Sequence, residues 1–94
     1  MNRITNHMLR NKVDLLNQVT GNPLETYTTN ENGTHAAVGN YHLSSAYGGY
    51  ALHRHVNEGG GITDIFGRGH MPKRELYDLI CAYMLGFEKA LRQK

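Results

Sequence analysis

Between Thr5 and Thr20 the apolar positions Leu9, Val13 and Leu16 fall at i, i+4 and i+7, and Met8, Leu15 and Val19 broaden the same side. That spacing predicts an amphipathic helix. Thr5 or Asn6 offers a side-chain oxygen to an unpaired N–H of the first turn, Gly21 suits a left-handed residue after the last, and Pro23 stops propagation. A second, longer stripe runs through Leu76, Leu79, Ile80, Tyr83, Phe87 and Ala90. Pro72 suits the first position of that helix, where its missing N–H costs nothing, and Lys89, Arg92 and Lys94 suit the negative end of the dipole. Gly86 interrupts the stripe at a cost of roughly 1 kcal/mol in helix propensity, which predicts a close approach of another backbone.

Between the helices the period shortens to two. Leu24 to Thr29 (LETYTT) runs into Asn30 to Gly33 (NENG), a turn signal, and the returning strand, about Thr34 to Ser44, sets Tyr41 and Leu43 on one face and Asn40 and His42 on the other. Gly39 in its middle predicts a bulge or a close approach. Ser44 to Gly49 (SSAYGG) reads as a second turn. Tyr50 to Val56 could pair Leu52 with Val56 as a short helix, but Gly48 and Gly49 make a poor helix start, so a strand is expected. Such a strand puts Tyr50, Leu52 and Arg54 on one face and Ala51, His53 and His55 on the other. Asn57 to Gly61 is a loop, and Ile62 to Phe66 an apolar return that can add edge pairing. The order α-β-β-β-α predicts an α+β fold, residues 1–94 forming one small domain, with two helices packed on one face of a three-stranded antiparallel sheet.

Size agrees, since a chain of 94 residues buries only about 60–65 % of its unfolded surface and supports one core. No apolar run approaches the roughly 20 residues of a membrane span. The N-terminal stretch lacks the apolar region of a secretory signal, and Cys81 is the only cysteine, so a cytoplasmic protein without a membrane partner is expected. A net charge of +2 falls short of the clustered basic face that holds a polyanion. Its one focus is local: Arg68, Lys73 and Arg74 surround His70, with Glu75 opposing.

Candidate chemistry concentrates between Gly39 and Arg74, which holds eight of the eleven glycines and four of the six histidines. The loop Gly67 to Arg74 (GRGHMPKR) leads into a helix N-terminus, where free N–H groups and the cations Arg68, Lys73 and Arg74, with His70, suit a phosphate or a carboxylate patch. It lacks the GxxxxGK[ST] spacing of a phosphate-cradling loop, and a solvated helix cap accounts for the same residues. His53 and His55 project to one side of a strand, with His42 or His35 available beside them, but no cysteine pair or HExxH accompanies them and no metal or cofactor is expected. Cys81 falls mid-helix among apolar residues, and Glu58, Asp64 and Glu75 are scattered over loops, so no catalytic constellation is expected either. Tyr41, Tyr47 and Tyr50, interleaved with His53 and Arg54, form the candidate partner-binding surface, because amphipathic aromatics serve interfaces. Alternate tyrosines packed under the helices are the plain alternative.

The run GNYHLSSAYGGYALHRHVNEGGG, followed by KRELYDLICAYMLG and preceded by LNQVTGNPLETYT, resembles small phage- and prophage-encoded proteins of unknown function. The likeness covers nearly the whole chain. It implies a non-enzymatic accessory factor in the host cytoplasm that binds and blocks a host protein or complex, such as a defence component. A second likeness is topological: α-β-β-β-α is the order of the double-stranded RNA-binding domain, and GRGHMPKRE looks like its basic entry to the last helix. That domain's Lys-Lys pair is followed by a further Lys, whereas here Lys73 and Arg74 precede Glu75, Leu76 and Tyr77. A nucleic-acid or nucleotide binder centred on the basic corner is therefore the alternative function, with a metal-dependent enzyme using His53 and His55 behind it. A free sheet face with exposed tyrosines also suits a homodimer.

Overall fold

The computed structural model describes residues 3–92, so Lys94 of the basic helix end lies outside the described residues. The chain folds as α1 (Asn6–Thr20), β1 (Tyr27–Asn30), β2 (Gly33–Ala36), β3 (Tyr41–Ala46), β4 (Gly49–His55), β5 (Ile62–Asp64) and α2 (Lys73–Arg92). The α+β class stands, with two helices against a three-stranded antiparallel sheet of order β3-β4-β5.

The sheet is made of different strands from those the sequence predicts. The expected strand from Thr34 to Ser44 is two strands, and β1 and β2 form a separate two-stranded hairpin. Gly39 causes the break: its backbone is left-handed at φ 92, a conformation that ends an extended run. The places vacated are filled by β3, running on to Ala46, and by β5 from the apolar return segment, so that the second turn shrinks to Tyr47 and Gly48. Tyr50 to His55 is strand, as expected.

Helix α1 starts on Thr5, whose Oγ1 accepts the Met8 N–H at 3.1 Å, and ends on Gly21 at φ 73. Leu9, Val13 and Leu16 are buried, whereas Leu15 is exposed. In α2, Pro72 lies one position earlier than predicted, its carbonyl taking the first helical hydrogen bond from Leu76 N at 3.1 Å. No atom comes within 4 Å of a Cβ placed on Gly86, so the expected close approach there is absent. The core joins Ile4, Leu9, Val13 and Leu16 to Tyr41 and Leu52 of the sheet, and to Met71, Leu76, Ile80 and Met84. Among the described residues no helix is long and apolar enough to cross a membrane.

Candidate functional site

Strand register separates the side chains of the sheet into two sets. Tyr41 pairs with Arg54, Leu43 with Leu52, and Ser45 with Tyr50, and this set faces the helices. His42 pairs with His53, Ser44 with Ala51, and His53 with Asp64, and this set faces away.

On the away-facing side the rings form a row. Tyr27 meets His55 at 5.4 Å between centroids, His55 meets His42 at 4.5 Å, and His42 meets His53 at 6.0 Å. His53 then meets His70 at 6.1 Å, and His70 meets Tyr47 at 6.5 Å. Most contacts are tilted or edge-to-face, the arrangement that ring quadrupoles favour. Burial, then the neighbouring His55 and His53, push His42 below its ordinary range, while its Asn40 contact opposes them. Burial also lowers His53; Asp64 acts in the raising direction and His70 in the lowering one. The middle of the row is therefore neutral imidazole near pH 7. His55, only 2 % exposed, keeps a buried Nδ1 without a hydrogen-bond partner.

The row ends where two segments meet. Tyr47 and Gly48 connect β3 to β4 with φ of 55 and 75, the pair of positive values that a tight two-residue hairpin turn requires. Tyr47 is 102 % exposed. Beside this turn the Gly67–Arg74 loop lies along β4, held by the reciprocal Tyr50 and Met71 backbone hydrogen bonds, both 2.8 Å. A Cβ on Gly49 would stand 3.0 Å from Met71 N and 3.1 Å from the His70 carbonyl carbon, so only glycine admits the loop this closely. Asp64 Oδ2 accepts the Gly69 N–H at 2.9 Å, and Ser44 Oγ meets His70 Nε2 at 3.0 Å.

The sequence-predicted residues are thereby sorted. Tyr47, His53 and His70 stand on one row, and exposed Arg68 and Arg74 share its loop. Tyr41 is buried on the opposite side, its hydroxyl 3.0 Å from that of Tyr83 and its ring 5.3 Å beneath Arg54. Burial, then the Tyr83 hydrogen bond and charge, push the Tyr41 phenol up to about 12 against the lowering effect of Arg54. Arg54 also donates Nε to the Gly39 carbonyl at 3.2 Å. Tyr50 donates to Asn6 Oδ1 at 2.9 Å and lies 5.9 Å from Lys73 Nζ, so it joins the starts of the two helices. Tyr41, Tyr50, Arg54 and Lys73 are thus engaged in holding the fold. His42 stands beside His53 and His55, whereas His35 lies with Glu58 at 4.0 Å.

No family model, curated protein or solved structure matches the chain.

Chemistry beyond binding finds little here. Among the described residues no group of three His, Cys, Asp or Glu side chains is arranged to hold a metal ion. Ser44 and His70 make a hydroxyl–imidazole pair, but neither of the cavities of about 440 and 450 Å³ is lined by them. Sequence reasoning missed His42, His55 and Tyr27 as members of the row. The alternation of His53 and His55 gave the face, but the approach of Tyr27 depends on how the separate hairpin docks.

Proposed function

We propose that this chain is a non-enzymatic binding protein that engages a host protein or protein complex through the imidazole row, its Tyr47 end and the adjoining Arg68–Arg74 loop. The observation that carries this reading is Tyr47. The first central position of such a turn favours Asn, Asp or Gly, and a bulky side chain in the left-handed region costs about 1–2 kcal/mol. A wholly exposed ring returns nothing to the fold for that cost. Strain kept at a surface tip motivates a contact made outside the molecule, and tyrosine suits one because it brings large, amphipathic area with few rotamers. The likeness to phage-encoded accessory proteins supports a host component as the partner. Protein is favoured over nucleic acid because Lys73 lies over Tyr50 and the net charge is only +2.

The test is capture from bacterial extract on immobilised wild-type protein and on Tyr47→Asn, each eluted by a salt gradient. A discrete protein held by wild type and lost on Tyr47→Asn is expected. Equal capture by both would overturn the reading, and nucleic acid eluting with a steep salt dependence would replace it with the basic-corner alternative.

A further inference from the structure

We infer that the open edge of β3 is a docking site for an extended segment of another polypeptide, added as a further strand against Leu43 and Ser45. It goes beyond the function proposed above and uses different residues.

The hydrogen-bond direction along β3 is fixed by its first residue. Tyr41 turns its N–H and C=O away from β4, because Asn17 takes both: Tyr41 N donates to Asn17 Oδ1 at 2.8 Å and Asn17 Nδ2 donates to Tyr41 O at 2.9 Å. Antiparallel pairing alternates, so the next residues with outward backbone groups are Leu43 and Ser45. The far flank of β4 leaves no such gap: Leu52 O accepts Ile65 N, Tyr50 pairs with Met71, and Val56 N donates to Gly61 O. The other edge strand, β5, is three residues long, and its Asp64 carbonyl accepts the Gly67 N–H at 3.2 Å. The open donor–acceptor pairs are therefore those of Leu43 and Ser45.

These two residues line the cavity of about 440 Å³, with Arg10 and Asp14 from α1 and Leu24 and Thr26 from the segment before β1. The occupant's chemistry is given within the molecule. At Tyr41 the edge already binds an amide in the manner of a strand, and Asn17 supplies it. A peptide group continues that pattern at Leu43 and Ser45, where two outward residues spaced about 6.6 Å apart accommodate a segment of roughly three to five residues. Arg10 and Asp14 carry opposite signs, so a charged segment of either sign gains little, and exposed Leu24 suits an apolar side chain on the occupant. A second copy of this chain is disfavoured as occupant: its own β3 edge has the same α1 and Leu24–Thr26 flanks, and two open positions make a seam too short to join domains that need about 1,200 Å² of buried surface.

The experiment selects a displayed random heptapeptide library on the wild-type protein and follows the enriched peptides by amide NMR. Expected are peptides that shift the Leu43 and Ser45 amides and slow their exchange, bind Ser45→Ala as well as wild type, and lose about tenfold or more in affinity on Ser45→Pro. Proline removes an outward N–H that the fold does not use and is tolerated on an edge strand. If Ser45→Pro fails to fold, exchange protection at Leu43 and Ser45 in wild type decides alone. Tyr47→Asn is expected to bind the peptides normally, so failure here is separate from failure of the tip. The inference is overturned if no peptide is enriched, if enriched peptides leave both amides unprotected, if Tyr47→Asn abolishes binding, or if a concentration-dependent dimer occupies the edge.

Discussion

The Asn17 carboxamide stands beside Tyr41 as the peptide group of a neighbouring strand would, one amide satisfying both backbone groups of a sheet residue from a helix. Asn17 is only 1 % exposed, so water cannot replace it. Asn17→Leu leaves a buried N–H and C=O unpaired and is expected to destabilise by roughly 2–4 kcal/mol. Urea denaturation checks it; a loss below about 1 kcal/mol would mean that the edge is closed by something else.

Tyr47 sets stability against contact. Tyr47→Asn suits the left-handed turn and is expected to stabilise by about 1 kcal/mol, raising the melting temperature by about 4–8 °C, while weakening capture of the partner. Calorimetry and the capture assay on the same preparation read both effects. A variant that melts lower would remove the strain from the account.

Gly49→Ala places a methyl group against the His70–Met71 backbone, which has no flexible end to give way. A loss of about 1–3 kcal/mol is expected. Amide shifts should move at Tyr50 and Met71, whose mutual hydrogen bonds are 2.8 Å, and stay fixed in α1. By contrast Tyr50→Ala should act as a folding defect, because Tyr50 links Asn6 and Lys73.

The histidine row gives stability a pH dependence. In the unfolded chain His42 and His53 titrate near the ordinary 6.5, and in the folded protein lower. As the pH falls the unfolded state therefore binds protons first, so stability held above 6.5 declines as the pH passes down to the folded values. His55, His53 and Asn40 face His42, while Asp64 and His70 face His53, with Asp64 alone among the charges favouring the protonated ring. Urea midpoints from about pH 7.5 to 5 should drop in wild type and flatten in the His42→Gln, His53→Gln double variant. A wild-type profile as flat as the variant's would contradict the assigned environments.

Both helices were legible in the sequence because Leu9, Val13 and Leu16, like Leu76 and Ile80, repeat at helical spacing and are buried. The face shared by His53 and His55 was legible because strand side chains alternate. What was not legible depended on distant contacts. A mid-strand glycine signalled a disturbance, but not that Gly39 would divide a strand and leave β1 and β2 outside the sheet. Tyr41 and Tyr50 share a composition with Tyr47, and only the registers Tyr41–Arg54 and Ser45–Tyr50 show that those two face the helices. The role of Asn17 could not be read either: a polar residue on an apolar stripe gives no sign that its partner lies 24 residues on.

The central claim is that Tyr47 touches the partner. Its most direct test is replacement of Tyr47 by the photo-crosslinking p-benzoylphenylalanine in bacterial cells, with the same replacement at exposed Lys89 as control. A single host protein crosslinked from position 47 and absent from position 89 is the expected result. Crosslinks no different between the two positions would contradict the account.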